Sequence, residues 1–83
     1  MKIAIIGAAG VRTPLILQSI IARQDKLGLH ELALMDIDGA RLELIGALST
    51  PLDQSPEVKF RILRTTDSRL ALKDADFVSP LSV

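Results

Sequence analysis

The residues best suited to ligand chemistry in this sequence form a short loop near the amino end. The loop directly follows an apolar segment and comprises Gly7, Ala8, Ala9, Gly10, Val11, Arg12 and Thr13. Glycine permits a tight turn, small side chains let the backbone approach a ligand, and the N–H groups that open a helix favour an anion. The pattern therefore predicts that this loop binds the pyrophosphate of a dinucleotide.

The loop departs from the full G-x-G-x-x-G dinucleotide motif. Ala9 and Arg12 stand where the second and third glycines would be, so the motif alone is a weak signal. A tight strand-to-helix turn without a ligand is the alternative, and the strand-loop-helix context favours binding. Arg12 could place a cation near a phosphate, or it could be only a solvated surface group.

Asp36 is the second candidate binding residue. It follows an apolar segment that is predicted to be the second strand, and an acid at that carboxyl end would hold the ribose hydroxyls of NAD in preference to its 2′-phosphorylated form. Either Asp36 or Asp38 could instead cap the next helix, and we assign the cap to Asp38. The single histidine, His30, precedes this strand on the side away from the expected ligand crevice, and we assign it no chemistry.

Four strands and three helices are predicted to position these residues. Strands are expected at residues 3–6, 32–35 and 58–62 and from residue 77, the third with the period-2 alternation of an edge strand. The first helix is expected to have Thr13 as its N-cap and Pro14 as its first residue, and to end before Gly28. Thr66 or Asp67 is expected to cap the last helix.

The second helix is expected to run from residue 40 to about residue 49. Thr50-Pro51 would stop it, because a proline disfavours helical geometry in the residue before it. Its expected inward side chains are Leu42 and Ile45, with Leu44 and Leu48 as further candidates.

The alternation of strands and helices predicts an α/β fold. With right-handed crossovers it gives a Rossmann-like three-layer α/β/α arrangement with parallel strand order 3-2-1-4, the first half of a dinucleotide-binding domain. A chain of 83 residues is near the lower limit for a stable core. We therefore interpret residues 1–83 as a partial NAD-binding domain, an amino-terminal fragment of a larger enzyme, and expect it to form a homo-oligomer.

The composition argues against several other functions. Ten basic residues balance ten acidic ones without a basic cluster, so a nucleic-acid partner is not expected. The absence of cysteine excludes thiolate chemistry from these residues. The apolar run at residues 3–6 is too short for a signal peptide or a membrane span, which predicts a cytoplasmic protein with no membrane partner.

Several segments together resemble the amino-terminal region of family 4 glycoside hydrolases, most closely its 6-phospho-β-glucosidase branch. In chain order they are MKIAIIG, VRTPL, ELALMDID, RLE, TTD and ADFV. The resemblance spans nearly the whole chain. A proline that opens the first helix and the Met-Asp-Ile-Asp run are not general features of dinucleotide-binding folds.

The resemblance implies an enzyme that hydrolyses O-glycosidic bonds of phosphorylated sugars by redox elimination. That mechanism depends on NAD and on a divalent metal, commonly Mn²⁺, and differs from the usual two-carboxylate hydrolysis. Only the cofactor part maps onto this chain, through residues 7–12 and Asp36. The metal ligands and the base of the family would lie beyond residue 83, so these residues alone are expected to be inactive and to bind nucleotide weakly at most.

Two other interpretations stay open at this point. The segment from Ile6 to Gly10 also resembles the start of malate and lactate dehydrogenases, although Thr13-Pro14 argues against that family. The chain could also be a non-catalytic remnant that binds nucleotide or associates with itself through an uncovered sheet edge. After residue 78 the sequence departs from the glycosidase pattern, and Pro80 is expected to weaken the fourth strand.

Overall fold

The computed structural model describes residues 1–10 and 12–80 of the chain. Within this range the elements are β1 (Lys2–Ile6), α1 (Thr13–Leu27), β2 (Glu31–Met35), α2 (Gly39–Leu48), α3 (Thr50–Asp53), β3 (Arg61–Thr65), α4 (Ser68–Leu72) and β4 (Phe77–Pro80). The strands form one parallel sheet in the order β3-β2-β1-β4. The predicted Rossmann-like strand order is confirmed.

The carboxyl ends of the four strands lie at one edge of the sheet. Ile6 at the end of β1 is in register with Met35 of β2 and with Pro80 of β4, and Met35 is in register with Thr65 of β3. The glycine-containing loop, Asp36 and Thr66 all follow directly from this edge. Parallel pairing therefore brings together segments that are far apart in the sequence.

Helices cover both faces of the sheet, which confirms the predicted three layers. One face carries the larger core, in which Leu17 of α1 packs with Leu32 and Leu34 of β2, each at most 1% exposed. Burying each such side chain contributes roughly 1.5–3 kcal/mol. The opposite face is covered by α4, where Ala71 packs against Ala4 of β1.

The start of α1 differs from the prediction. Arg12 is the N-cap residue and Thr13 is the first residue of the helix, so the assignment of Thr13 as N-cap was wrong. The reason is that the Thr13 hydroxyl is buried and donates to the Ala8 carbonyl at 2.8 Å, whereas a capping hydroxyl would accept from the helix. The predicted end is confirmed, because Gly28 caps the helix in the left-handed conformation, with φ 60°.

The second helix also differs in part from the prediction. Leu42 and Ile45 are buried as expected, but Leu44 and Leu48 are 60% and 67% exposed and do not face inward. Pro51 follows the end of α2 and lies in the first turn of the short helix α3, where a proline needs no N–H partner. The helical region therefore extends past Thr50-Pro51 after a break.

The third strand lies three residues later than predicted, at Arg61–Thr65 instead of residues 58–62. The Gln24 side chain of α1 explains the shift, because its amide donates to the Glu57 carbonyl and its oxygen accepts from Lys59 N–H at 2.9 Å. These backbone groups are therefore bound by α1 and not by a neighbouring strand. The predicted edge position of this strand is confirmed.

The last elements follow the prediction closely. Asp67 caps α4 by accepting from Arg69 N–H at 2.9 Å. Strand β4 begins at Phe77 and is in register with β1 through Pro80, which is tolerated at the end of an edge strand. Among the described residues, no helix has both the length and the apolar character needed to cross a membrane.

Candidate functional site

The carboxyl-terminal edge of the sheet brings the predicted loop and the predicted ribose acceptor into direct contact. The Ala9 N–H donates to Asp36 Oδ2 at 3.0 Å. The predicted binding residues that lie in this region are Gly7, Ala8, Ala9, Gly10, Arg12, Thr13 and Asp36. Val11 was also predicted to bind the cofactor, and it lies outside the described residues.

The end of β2 and the start of α1 hold the first half of the loop. The N–H groups of Gly7 and Ala8 both donate to the Met35 carbonyl, at 2.8 and 2.9 Å, and the Ala8 carbonyl accepts from the Thr13 hydroxyl. Gly7 has φ 81°, a conformation that a residue with a Cβ adopts only with strain. The loop is therefore a defined structure, and its shape depends on Gly7 and Thr13.

The amides of the loop divide into two groups. Those of Gly7, Ala8 and Ala9 donate to acceptors on or just after β2, so they shape the loop. Gly10 N–H has no acceptor among residues 1–10 and 12–80, while its carbonyl accepts from Thr13 N–H at 3.1 Å. Of the amides of residues 7–10, that of Gly10 is consequently the one available to an anion.

Asp36 keeps acceptor capacity for a ligand. Its Oδ1 accepts from Asp38 N–H at 2.9 Å, and its Oδ2 accepts from Ala9 N–H. These hydrogen bonds, first from Asp38 and then from Ala9, lower the pKa of Asp36 below its ordinary value, and the nearby charge of Arg41 adds to the effect. An ionised carboxylate can accept about four hydrogen bonds, so acceptor positions remain for hydroxyl groups.

Asp38 has the role that the sequence predicts for it. Its Oδ1 accepts from Arg41 N–H at 3.1 Å and caps α2. The two neighbouring acids are thus separated in function, because Asp38 serves the helix while Asp36 faces the loop.

Arg12 is exposed at the entrance of α1 and forms no salt bridge with another described residue. It lines a largely apolar groove of about 350 Å³ on the outer face of the helix, together with Leu15 and Ile16. A cation there is free to move toward an anion held by the loop.

A second cavity, of about 730 Å³, lies beside Asp36 between α2 and the end of β3. It is lined by Gly39, Leu42, Glu43, Gly46, Arg64, Thr65 and Thr66. Asp36 N–H donates to the Thr65 carbonyl at 3.3 Å, which connects the cavity to the site. Thr65 and Thr66 were not predicted to lie near the candidate site, although their place at the carboxyl end of a parallel strand was a usable signal.

The remaining polar candidates lie away from this edge. His30 precedes β2, and its Nδ1 is 2.7 Å from the amino group of Met1. Asp76 Oδ2 accepts from Lys2 N–H at 2.7 Å at the same amino-terminal edge. The described residues contain no group of three or more His, Cys, Asp or Glu side chains that could hold a metal ion.

Comparison with known proteins extends these observations. The sequence profile of the family described as "Family 4 glycosyl hydrolase" matches residues 2–81. A probable 6-phospho-β-glucosidase of Bacillus subtilis is 38% identical over 81 residues, and a 6-phospho-β-glucosidase of Escherichia coli is 36% identical over 81 residues. Each alignment covers 95% of this chain and 18% of the relative, so the chain spans less than a fifth of the length of these proteins.

A similar fold occurs in a crystal structure of a 6-phospho-α-glucosidase from gut microorganisms in complex with NAD and Mn²⁺. The TM-score is 0.86 at 30% sequence identity, over 98% of this chain and 18% of that one. The match supports the assignment of the sheet and its helices to a Rossmann-like fold. Together with the profile match, it favours the glycosyl hydrolase family over the malate and lactate dehydrogenases.

Proposed function

The chain belongs to the family 4 glycosyl hydrolases, and on that basis we propose that it is the NAD-binding part of a 6-phosphoglycosidase. The proposal rests on the hydrogen bond between the glycine loop and an ionised Asp36 at the carboxyl-terminal edge of the sheet. Ligands of parallel α/β sheets bind at this edge. The relatives named above are 6-phosphoglucosidases, and one was crystallised with NAD.

The donor and acceptor groups of the site fit a dinucleotide. Gly10 N–H and the Arg12 guanidinium would donate hydrogen bonds to the pyrophosphate, and the small side chains of Ala8 and Ala9 let it approach the backbone. Asp36 would accept from the ribose hydroxyls. When bound, NAD would supply reversible hydride acceptance, while the residues of this chain bind and orient it.

The charge of Asp36 predicts which form of the cofactor binds. A 2′-phosphate would lie beside a carboxylate that its own hydrogen bonds keep ionised, and like charges at that distance repel. We expect the chain to bind NAD at least about tenfold more tightly than NADP, a difference of about 1.4 kcal/mol. Isothermal titration of both nucleotides measures this, with Asp38→Asn as the control that leaves the preference unchanged.

An equal or reversed preference would contradict the assignment of Asp36 to the ribose. In that case the ribose would have to be held elsewhere, and the cavity beside Thr65 and Thr66 would be the next place to examine. The pyrophosphate contacts assigned to Gly10 and Arg12 would be unaffected by this outcome. The role of Val11 stays a prediction from the sequence.

The hydrolytic reaction is proposed for the whole protein and not for this chain alone. We expect a whole protein that contains this chain to cleave a chromogenic 6-phosphoglucoside only when both NAD and a divalent metal such as Mn²⁺ are present. None of the described residues is assigned as a metal ligand, so we expect no turnover by the isolated chain. We also expect it to bind NAD weakly, because it spans less than a fifth of the length of its relatives. Turnover by the isolated chain would contradict this division of roles.

We also propose that the chain forms homo-oligomers in the cytoplasm. Phe77 and Val78 of the edge strand β4 are 62% and 47% exposed, and an apolar edge strand favours pairing with another chain. Light scattering after size-exclusion chromatography should give a mass above 9.0 kDa that falls to the monomer mass in Val78→Lys.

A further inference from the structure

Asp36 joins two segments that are distant in the sequence. Its Oδ2 accepts from the N–H of Ala9, 27 residues earlier in the chain, while its Oδ1 accepts from Asp38 N–H. The amides of Gly7 and Ala8 donate instead to the backbone oxygen of Met35. Among the amides of residues 7–10, that of Ala9 is therefore the one held by a side chain.

Ala9 lies directly before the amide that we assign to the pyrophosphate. Ala9 is 3% exposed, so its N–H has little access to water as a substitute acceptor. Because peptide groups are planar, the direction of this N–H fixes the plane of the Ala8–Ala9 peptide. The chain then reaches Gly10 through the two soft dihedral angles of Ala9, so the direction of Gly10 N–H depends on the Asp36 carboxylate.

We propose that Asp36 is a positioning residue for the glycine loop in addition to the ribose acceptor assigned above. The inference rests on the proposed cofactor site and extends it. The Asp36 carboxylate, which would accept from the ribose, also orients the Gly10 amide, which would donate to the pyrophosphate. One side chain thereby couples the two halves of dinucleotide recognition.

Inorganic pyrophosphate separates the two roles of Asp36, since it contains no ribose. If Asp36 only contacted ribose, Asp36→Ala would leave pyrophosphate affinity unchanged or raise it, because a negative charge near an anion is removed. If Asp36 positions the loop, the same change lowers that affinity. Only the positioning role therefore predicts weaker pyrophosphate binding, and we expect a loss of about fivefold to tenfold.

Hydrogen exchange at the Ala9 amide tests the positioning directly and requires no ligand. We expect exchange at Ala9 to be about tenfold faster in Asp36→Ala than in the unmodified chain, with a smaller increase in Asp36→Asn, which keeps the side-chain volume and one carbonyl acceptor. Asp38→Ala is the matched control, because it removes the neighbouring carboxylate without touching the loop. Amide spectra of β1 and β2 report whether each variant remains folded.

The outcomes are distinguishable. Faster exchange at Ala9 together with weaker pyrophosphate binding supports the inference. Unchanged exchange at Ala9 in a folded Asp36→Asn or Asp36→Ala variant overturns it, even if NAD binding falls, because the loss is then explained by the ribose contact. If the unmodified chain binds neither NAD nor pyrophosphate but exchange at Ala9 still depends on Asp36, the cofactor proposal fails and the anchoring of the loop is supported.

Discussion

The two edges of the sheet both carry charged residues, but they use them differently. At the amino-terminal edge, the three protons of the Lys2 ammonium have three acceptors, namely Glu31 Oε2 at 2.9 Å and the carbonyls of Leu70 and Lys73 at 3.2 and 2.6 Å. Lys2 is 5% exposed, and an ammonium group has three donors. Its hydrogen-bonding capacity is therefore fully used within the protein.

At the carboxyl-terminal edge, some hydrogen-bonding capacity is unused. Asp36 accepts from two backbone amides and keeps acceptor positions, and Gly10 N–H has no acceptor among residues 1–10 and 12–80. The amino-terminal edge contains the buried Lys2 ammonium and its ion pair with Glu31, yet the carboxyl-terminal edge is the one with hydrogen-bonding groups left for a ligand. Unused hydrogen-bonding groups on a defined backbone, and not charge density, distinguish the candidate site from the Lys2 network.

The largest effect on stability should come from the amino-terminal edge. Lys2→Met removes the donor to the partly buried carbonyls of Leu70 and Lys73 and leaves Glu31 with Arg61 as its cationic partner, so we expect the free energy of unfolding to fall by about 2–3 kcal/mol. Urea denaturation measures the change. The control is Lys59→Met, since Lys59 is 69% exposed and 3.9 Å from Asp25, and its loss should be below about 0.5 kcal/mol. Equal effects of the two substitutions would show that the Lys2 network is not structural.

Each edge of the sheet has one glycine with positive φ, so the two positions can be tested with the same substitution. Gly7 has φ 81° at the carboxyl-terminal edge, and Gly28 has φ 60° at the amino-terminal edge, where α1 ends. Alanine at either position should lower stability by about 1–2 kcal/mol through backbone strain. A Cβ at Gly28 meets no atom within 4 Å, so Gly28→Ala should leave NAD binding intact while Gly7→Ala reduces it. Loss of binding in both variants would argue that the effect is global instability.

Removing the Thr13 hydroxyl at the carboxyl-terminal edge should have a smaller effect. Thr13→Val removes the hydrogen bond to the Ala8 carbonyl at nearly constant volume, which should lower stability by about 1 kcal/mol and weaken NAD binding. Thr50→Val is the control, because its hydroxyl donates to the Gly46 carbonyl at an exposed site and at 3.3 Å. Thermal unfolding and NAD titration of both variants would separate the two. Unaltered NAD affinity in Thr13→Val would show that the loop does not need this bond.

Lowering the pH should reduce the stability that both edges contribute, by a smaller amount than the substitutions above. The hydrogen bond and charge of Lys2 lower the pKa of Glu31 below its ordinary 4.5, and backbone hydrogen bonds lower the pKa of Asp36 below 3.8. A lowered pKa means that the stabilisation is present above the ordinary value and is lost as the pH falls through the folded-state value. In the unmodified chain, the free energy of unfolding should begin to fall near pH 4.5 as Glu31 is protonated, and Glu31→Gln should lack this fall. Asp36→Asn should likewise lack a fall that begins near pH 3.8. Profiles identical to that of the unmodified chain would contradict both assignments.

The parts of the fold that depend on local patterns could be predicted from the sequence. Apolar runs identified β1 and β2, and the position of Asp38 identified the cap of α2. The parts that depend on long-range side-chain contacts could not. The shift of β3 results from Gln24, which holds the backbone at Glu57 and Lys59 from a helix 33 to 35 residues away.

The site shows the same division. The sequence identified the loop and Asp36 separately, because each follows an apolar strand. It did not reveal that the loop amides from Gly7 to Ala9 are bound to β2 and to Asp36, since that contact depends on the pairing of two strands. The division of amides between loop structure and ligand was therefore visible only in three dimensions.

NAD is proposed to bind at the carboxyl-terminal edge through the glycine loop and Asp36. Titrating NAD into the isotopically labelled chain, to about 10 mM to allow for weak binding, tests it directly in amide spectra. We expect shifts that saturate at Ala9, Gly10 and Asp36, with none at Lys2 or Glu31. Shifts centred on the amino-terminal edge, or none at Gly10 at the highest concentration, would contradict it.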